Sequence, residues 1–191
     1  MGNKRKRKRW IGKLIIALFL IGIIACLSLF FRKEIVRAFR PWLEKLNLVE
    51  ARKEITLYFS DPDGEYLIGE KRKIVKGKNV NDEARETINE LIKGPKGKLI
   101  PTLPTRTKCL SLKVNEKGIT MINFNQALSK DHPGGSSAEI LTTYSIVNSL
   151  ALNFPRIKGV QILIDGKPVE TITGHLSLKQ PISPKQDLIK K

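Results

Sequence analysis

The sequence predicts an α+β domain, two helices packed on a mostly antiparallel sheet, placed behind one N-terminal transmembrane helix. Three observations lead there. Six consecutive cations at 4–9 run into eighteen uncharged, mostly apolar residues at 14–31. Beyond residue 54, short runs of alternating apolar residues are separated by turn chemistry. Two further stretches, 82–93 and 136–154, switch to helical spacing.

The first element is the span. A bilayer's hydrocarbon core is ~30 Å thick and a helix rises ~1.5 Å per residue, so residues 10–31 are long enough to cross it. Seven cations precede the apolar run (residues 1–13) and five follow it, up to Lys45. That excess keeps the N-terminus in the cytoplasm and puts the remainder of the chain outside, with Trp10 and Lys13 at the inner interface. A cleaved signal would need a small-x-small site, and none is evident near Phe31. Ile23-Ile24-Ala25-Cys26 offers an alternative, since it looks like the lipobox of bacterial lipoproteins, acylated at the cysteine. Leu27, Leu29, Phe30 and Phe31 keep the sequence apolar beyond that point, as an uncleaved span requires.

Next comes a stalk, 32–53, in which Ile35, Phe39, Trp42, Leu46 and Val49 form one helical stripe. Pro41 lacks a backbone donor and predicts a kink there, or two short helices. The stripe suits an interfacial or self-pairing helix, or one packed on the outer domain.

The domain, 54–178, opens with the strand Ile55-Thr56-Leu57-Tyr58-Phe59, followed by the turn residues Asp61-Pro62-Asp63-Gly64. Residues 66–68 and 72–75 read as one interrupted strand or two short ones. Val80, Ala84, Ile88 and Leu91 then share a helical face, with Asn81 or Asp82 as the cap and Gly94-Pro95 as the stop. Leu110, Leu112 and Val114, the turn 115–118 and residues 119–124 predict a β-hairpin. Ser136 and Glu139 have the spacing of a capping box, opening a helix with Ile140, Tyr144, Val147, Ala151 and Phe154 on one side. A last hairpin pairs 160–164 with 169–172 across Asp165-Gly166-Lys167. The tail, 179–191, with two prolines and four lysines, is expected to be flexible.

A formal charge of +17 suggests a polyanion partner until it is divided along the chain. Residues 1–53 hold 14 cations and 3 anions, 54–178 hold 17 and 14, and 179–191 hold 4 and 1. The excess hugs the span, where topology and anionic headgroups select for it, so nucleic acid is not expected as a partner and a polyanion-binding surface module stays only as an alternative. Of two cysteines, Cys26 lies in the span and Cys109 in the domain. No disulfide within the domain follows, and no cysteine-built metal cluster.

Ile55 to Phe59, Ile88-Asn89-Glu90-Leu91-Ile92-Lys93-Gly94-Pro95, Leu103-Pro104-Thr105-Arg106-Thr107, Ile122-Asn123-Phe124-Asn125, the helix after Gly135 and the strand ending in Asp165-Gly166 occur in an order that resembles the GerM-type (GerMN) sporulation and spore-germination domain. Only one copy of such a domain fits in this chain, and Asn123 stands where an aspartate is common. The resemblance implies an exported domain with an α/β fold similar to the ring-building modules of envelope-spanning complexes. It also implies a non-enzymatic role in assembly or ligand binding, with an envelope protein, a cell-wall component or a second copy as partner.

Catalytic chemistry has few candidates. Gly134-Gly135-Ser136-Ser137, before a helix, could present N–H groups to an anion, but lacks the pattern of a phosphate-binding loop. It is the candidate ligand-binding loop. His132 and His175 are the only histidines, too few to predict a metal site, and no cofactor is expected. A wall hydrolase would need two facing carboxylates, for which Asp131, Glu139 and Asp165 are the candidates. Asp165 reads better as a turn residue and Glu139 as the partner of Ser136.

Overall fold

The computed structural model describes residues 18, 19, 22, 23, 27, 30–45 and 50–190. The basic segment 1–13, Cys26, Leu46 and Val49 lie outside the described residues, as does most of the expected span at 14–31. Among the described residues no helix is long and apolar enough to cross a membrane. The chain divides into two compact units, Met1–Glu50 and Ala51–Lys191.

In the first unit, helix α1 (Arg32–Lys45) runs through Pro41 as one helix rather than two. Phe39 and Trp42, one turn apart, are both exposed and meet edge to face with ring centroids 6.4 Å apart.

The second unit is an α+β domain. Strands β1 (Arg52–Ser60) and β2 (Leu67–Val75) form an antiparallel hairpin, β2 being one uninterrupted strand. Its connection is organised by buried Asp61, whose Oδ1 accepts from the N–H of Glu65 (2.9 Å) and Tyr66 (3.1 Å), while Gly64 takes the positive φ of +71° that the turn needs. Helix α2 (Val80–Ile92) follows. Its cap is Asn79, not Asn81 or Asp82: Asn79 Oδ1 accepts from the N–H of both of those residues. Asn81 instead accepts the Val114 N–H (2.8 Å) and ties the helix to the next sheet.

Strands β3 (Cys109–Val114) and β4 (Ile119–Phe124) form the expected hairpin. A single turn of helix, α3 (Ala127–Lys130), and the long α4 (Ser136–Ala151) lead to β5 (Gly159–Ile164). The pairing is mostly antiparallel, as expected, but it is divided between two sheets, β1-β2 and β3-β4-β5-β6, and β5 lies parallel to β4. A strand that returns after a crossover helix runs parallel to the strand before it, so helix α4 dictates the direction. The last strand, β6, is only Lys167–Pro168; residues 169–172 do not pair as a strand. Asp165 (φ +47°) and Gly166 (φ +78°) make the tight turn between β5 and β6.

Each long helix packs on both sheets, α2 on β1, β2 and β3 and α4 on β1 and β5, so one core forms. Ile55, Leu57 and Phe59 from the first sheet share it with Ile122, Phe124 and Ile162 from the second, and with Ile88, Ile146 and Leu150 from the helices.

The segment after residue 178, expected to be flexible, is tied down. Ile182 and Val160 exchange two backbone hydrogen bonds, both 2.9 Å. Asn148 clamps Lys185 at N–H and C=O (2.9 Å each), and Lys190 N–H donates to Leu67 O at 2.9 Å. Backbone polar groups that find partners outweigh the composition of the segment.

Candidate functional site

The site lies at the N-terminal end of α4, and its geometry begins with the polar side of that helix. No Lys or Arg occurs between residues 136 and 151, and nearly every side chain from Leu141 onward is buried. Thr142, Ser145 and Ser149 are therefore buried polar groups that require partners. Ser145 and Ser149 find them along the outer edge of β1. Tyr58 N–H donates to Ser149 Oγ (3.0 Å), Ser145 Oγ donates to Tyr58 O (2.6 Å), and Asn153 both accepts the Thr56 N–H (2.8 Å) and donates to its C=O (2.6 Å). Four residues of helix advance ~6 Å. Two residues of strand advance ~6.8 Å. Those near-equal steps keep the row in register with the strand: Ser145 and Ser149 both serve Tyr58, and Asn153, just past the helix, serves Thr56 two residues away.

The row continues toward the helix start through Thr102. Since Ser145 gives its proton to Tyr58 O, the 2.6 Å contact between Thr102 Oγ and Ser145 Oγ has Thr102 as donor. Thr142 Oγ donates to Thr102 O (2.6 Å), so His132 Nε2, 2.9 Å from Thr142 Oγ, carries a hydrogen and donates. Its Nδ1 then accepts the Gly134 N–H at 3.1 Å. The histidine is thereby fixed as the neutral Nε2–H tautomer, and burial pushes its pKa down, against the opposing pull of the Glu139 charge.

Against this frame lies a cleft of about 420 Å³, mainly apolar. The β1–β2 turn contributes Ser60 and Gly64, the 100–105 loop contributes Ile100, Leu103 and two prolines, and α4 contributes Ser137, Ala138, Leu141 and Thr142, with Pro133 at the rim. Of the expected ligand loop, Ser137 lines the cleft; Gly134, Gly135 and Ser136 do not. Both glycines have positive φ (+82° and +85°), and α4 starts at Gly135 without a side-chain cap.

The capping box is not formed. Glu139, fully buried, faces away from Ser136 and accepts from the N–H groups of Ile172 (2.7 Å), Thr173 (3.1 Å) and His175 (2.8 Å) and from the Thr173 hydroxyl (2.9 Å). Burial alone would raise this carboxyl, but those four donors outweigh it and hold the group below its usual 4.5. The same bonds explain why 169–172 is not a strand: its end is bound to a side chain instead of a neighbouring ladder. Asp131 accepts a two-pronged contact from Arg106, Nε to Oδ2 at 2.8 Å and Nη2 to Oδ1 at 2.7 Å. The pair lines a second, shallower hollow of about 580 Å³ with Lys108 and Lys130. Asp165 serves its turn, where Gly166 N–H donates to Asn123 Oδ1 at 2.7 Å. Cys109 is partly buried, and burial raises its thiol pKa. Among the described residues no group of three or more His, Cys, Asp or Glu is placed to hold a metal ion.

Sequence reasoning missed Thr102 and the Ser145–Ser149–Asn153 row. The missing signal was available in part: a helix without Lys or Arg is buried on most sides, so its hydroxyl residues have to be satisfied within the protein.

Residues 56–170 match the family described as Germane, sporulation and spore germination. A crystal structure of a "Putative Lipoprotein from Clostridium perfringens" aligns with a TM-score of 0.52 and 25% identity over 73% of this chain and 94% of that one. The first GerMN domain of the sporulation protein GerM from Bacillus subtilis aligns with a TM-score of 0.54 and 19% identity, covering 69% of this chain and 94% of the domain. The tandem GerMN domains of the same protein give 0.52 and 17%, covering 70% of this chain and 45% of the pair. A comparison with curated protein sequences finds no match.

Proposed function

The chain belongs to the Germane family of sporulation and spore germination, and from that premise we propose that it is a non-catalytic binding and assembly module of the bacterial cell envelope. One observation carries this reading. Of the three carboxylates that could have served a hydrolase, Glu139 is committed to four hydrogen bonds and Asp131 to Arg106, and Asp165 is an exposed residue of a tight turn. None of the three lines the cleft at the start of α4, which is mainly apolar, and its chemistry is that of holding a ligand rather than transferring protons.

The same reading places the domain outside the cytoplasm, held by the apolar run at 14–31 as a span or by acylation at Cys26. The charge bias around that run supports the span. The likeness to a protein described as a lipoprotein supports the acyl anchor.

The test incubates the whole chain in detergent with cell-wall fragments and envelope extracts. Retention of a component without release of products is expected, and Ile100→Asp, at the half-exposed rim of the cleft, is expected to abolish it without altering the circular dichroism spectrum. Product release that a single substitution at Asp131, Glu139 or Asp165 eliminates would establish the hydrolase instead. For the anchor, labelled fatty acid incorporated into the wild type and lost in Cys26→Ala identifies acylation; no label, with the intact chain in the membrane fraction, identifies the span.

A further inference from the structure

The β1–β2 hairpin has an edge that the fold does not use. Just beyond its two ends, Lys76 N–H donates to Ala51 O (2.7 Å) and Asp61 N–H donates to Tyr66 O (2.9 Å). Antiparallel pairing alternates, so Lys53, Ile55, Leu57 and Phe59 bond directly across to Ile74, Arg72, Glu70 and Ile68. The intervening residues turn their N–H and C=O groups outward. On β1 these are Arg52, Glu54, Thr56, Tyr58 and Ser60, and the last three are satisfied by α4, Asn153 or Ile100. On β2 they are Leu67, Gly69, Lys71, Lys73 and Val75.

Only the first of these five is occupied among the described residues. Ile189 forms a parallel bridge with Leu67, and Lys190 N–H bonds its carbonyl. The edge therefore already accepts an extended segment at one end. From Gly69 to Val75 it is exposed, with no hydrogen bond to the outward backbone groups among the described residues.

Charge narrows what can follow. The period of two puts Arg52, Glu54, Lys71 and Lys73 on the same outer face, three cations and one anion, and Glu54 is already 2.9 Å from Lys71. A second copy pairing edge to edge would set these lysines against each other, which is unfavourable. An acidic strand would not meet that repulsion.

We infer that the Gly69–Val75 edge of β2 is a strand-addition site for an extended, acidic segment of a partner protein. This goes beyond the cleft and does not depend on it. Backbone ladder bonds supply the attraction, and the lysines select the sign of the incoming side chains.

The test uses the whole chain in detergent and a short synthetic peptide alternating valine and glutamate. Amide hydrogen exchange is read over 67–76, where the inward amides are already slow. Addition of the peptide is expected to slow the Gly69, Lys71, Lys73 and Val75 amides by roughly tenfold or more, with the protection weakened by salt. Lys73→Pro, which removes an outward donor and no ladder bond, is expected to lose the protection. The charge-reversed variant, Lys71→Glu with Lys73→Glu, is expected to transfer the preference to a valine–lysine peptide. Unchanged exchange, equal protection by both peptides, or protection that appears without peptide as protein concentration rises would each overturn the proposal, the last in favour of a second copy.

Discussion

The two edges of the same hairpin solve one physical problem in opposite ways. Along β1 from Thr56 to Ser60 the outward backbone groups are covered, and each is answered by a side chain of α4, by Asn153 or by the 100 loop. Along β2 the equivalent groups face solvent, and lysines stand beside them. A buried edge needs matched partners at every second residue, because an orphaned amide costs about as much as several good contacts supply. An open edge needs none, and its side chains are free to govern what approaches.

The largest effect is expected from Asn153→Leu, which leaves both the N–H and the C=O of Thr56 without a partner. A loss of about 2–4 kcal/mol should appear as a lower urea midpoint with unchanged slope. A loss within about 0.5 kcal/mol would mean that water reaches that edge and the contrast is overstated. Ser149→Ala removes one acceptor from Tyr58 and should cost about 1–3 kcal/mol by the same measurement.

Acidification tests the far end of the sealed row. The fold holds His132 neutral, so the unfolded chain takes up a proton first as pH falls. Stability is full above the ordinary histidine value of 6.5 and declines below it, levelling once the lowered folded value is passed. The Glu139 contribution lasts to lower pH, being present above 4.5 and lost as pH falls through its depressed folded value. His132→Gln should flatten the decline between 6.5 and 4.5 while keeping the loss below it. The new proton would sit on Nδ1 and cancel the Gly134 contact, so in the same window amide exchange should quicken at Gly134 and Gly135, next to the cleft rim.

The smallest effect is expected on the open side. Lys73→Pro sacrifices an amide that bonds nothing in the described structure and should change stability by about 1 kcal/mol or less, since proline is tolerated at outward positions of edge strands. Ile74→Pro, one residue on, removes a ladder bond to Lys53 and a buried side chain, and serves as its destabilised control.

Much of this architecture was legible from periodicity. The 109–124 hairpin announced itself through alternation on both sides of Asn115 and Gly118, and α2 through the spacing of Ala84, Ile88 and Leu91. What periodicity cannot encode is which strand a returning segment joins; the parallel pairing of β4 and β5 depends on the crossover through α4, and the division into two sheets on where the helices wedge. In the site, Ser137 was placed beside the cleft, but Ser136 and Glu139 have the spacing of a local cap and make none. The role of Glu139 was decided by a loop more than thirty residues further along the chain, which presents four donors to it. In the stripe Ile140, Tyr144, Val147, Ala151 and Phe154 the last three are buried, while Ile140 and Tyr144 are among the less buried residues of a helix enclosed on most sides.

The clasp formed by residues 182–190 has a consequence for how the chain is made. Lys190 reaches Leu67 and also Asp61, 129 positions earlier, while Ile182 and Lys185 hold β5 and α4. A polypeptide emerging from a ribosome or translocon presents β1 and β2 first, and they wait unclasped until the last of these residues arrives. During that interval the whole outer edge of β2, Leu67 included, is available, so the order of synthesis itself opens a window in which another extended chain competes for the seat that Ile189 later takes.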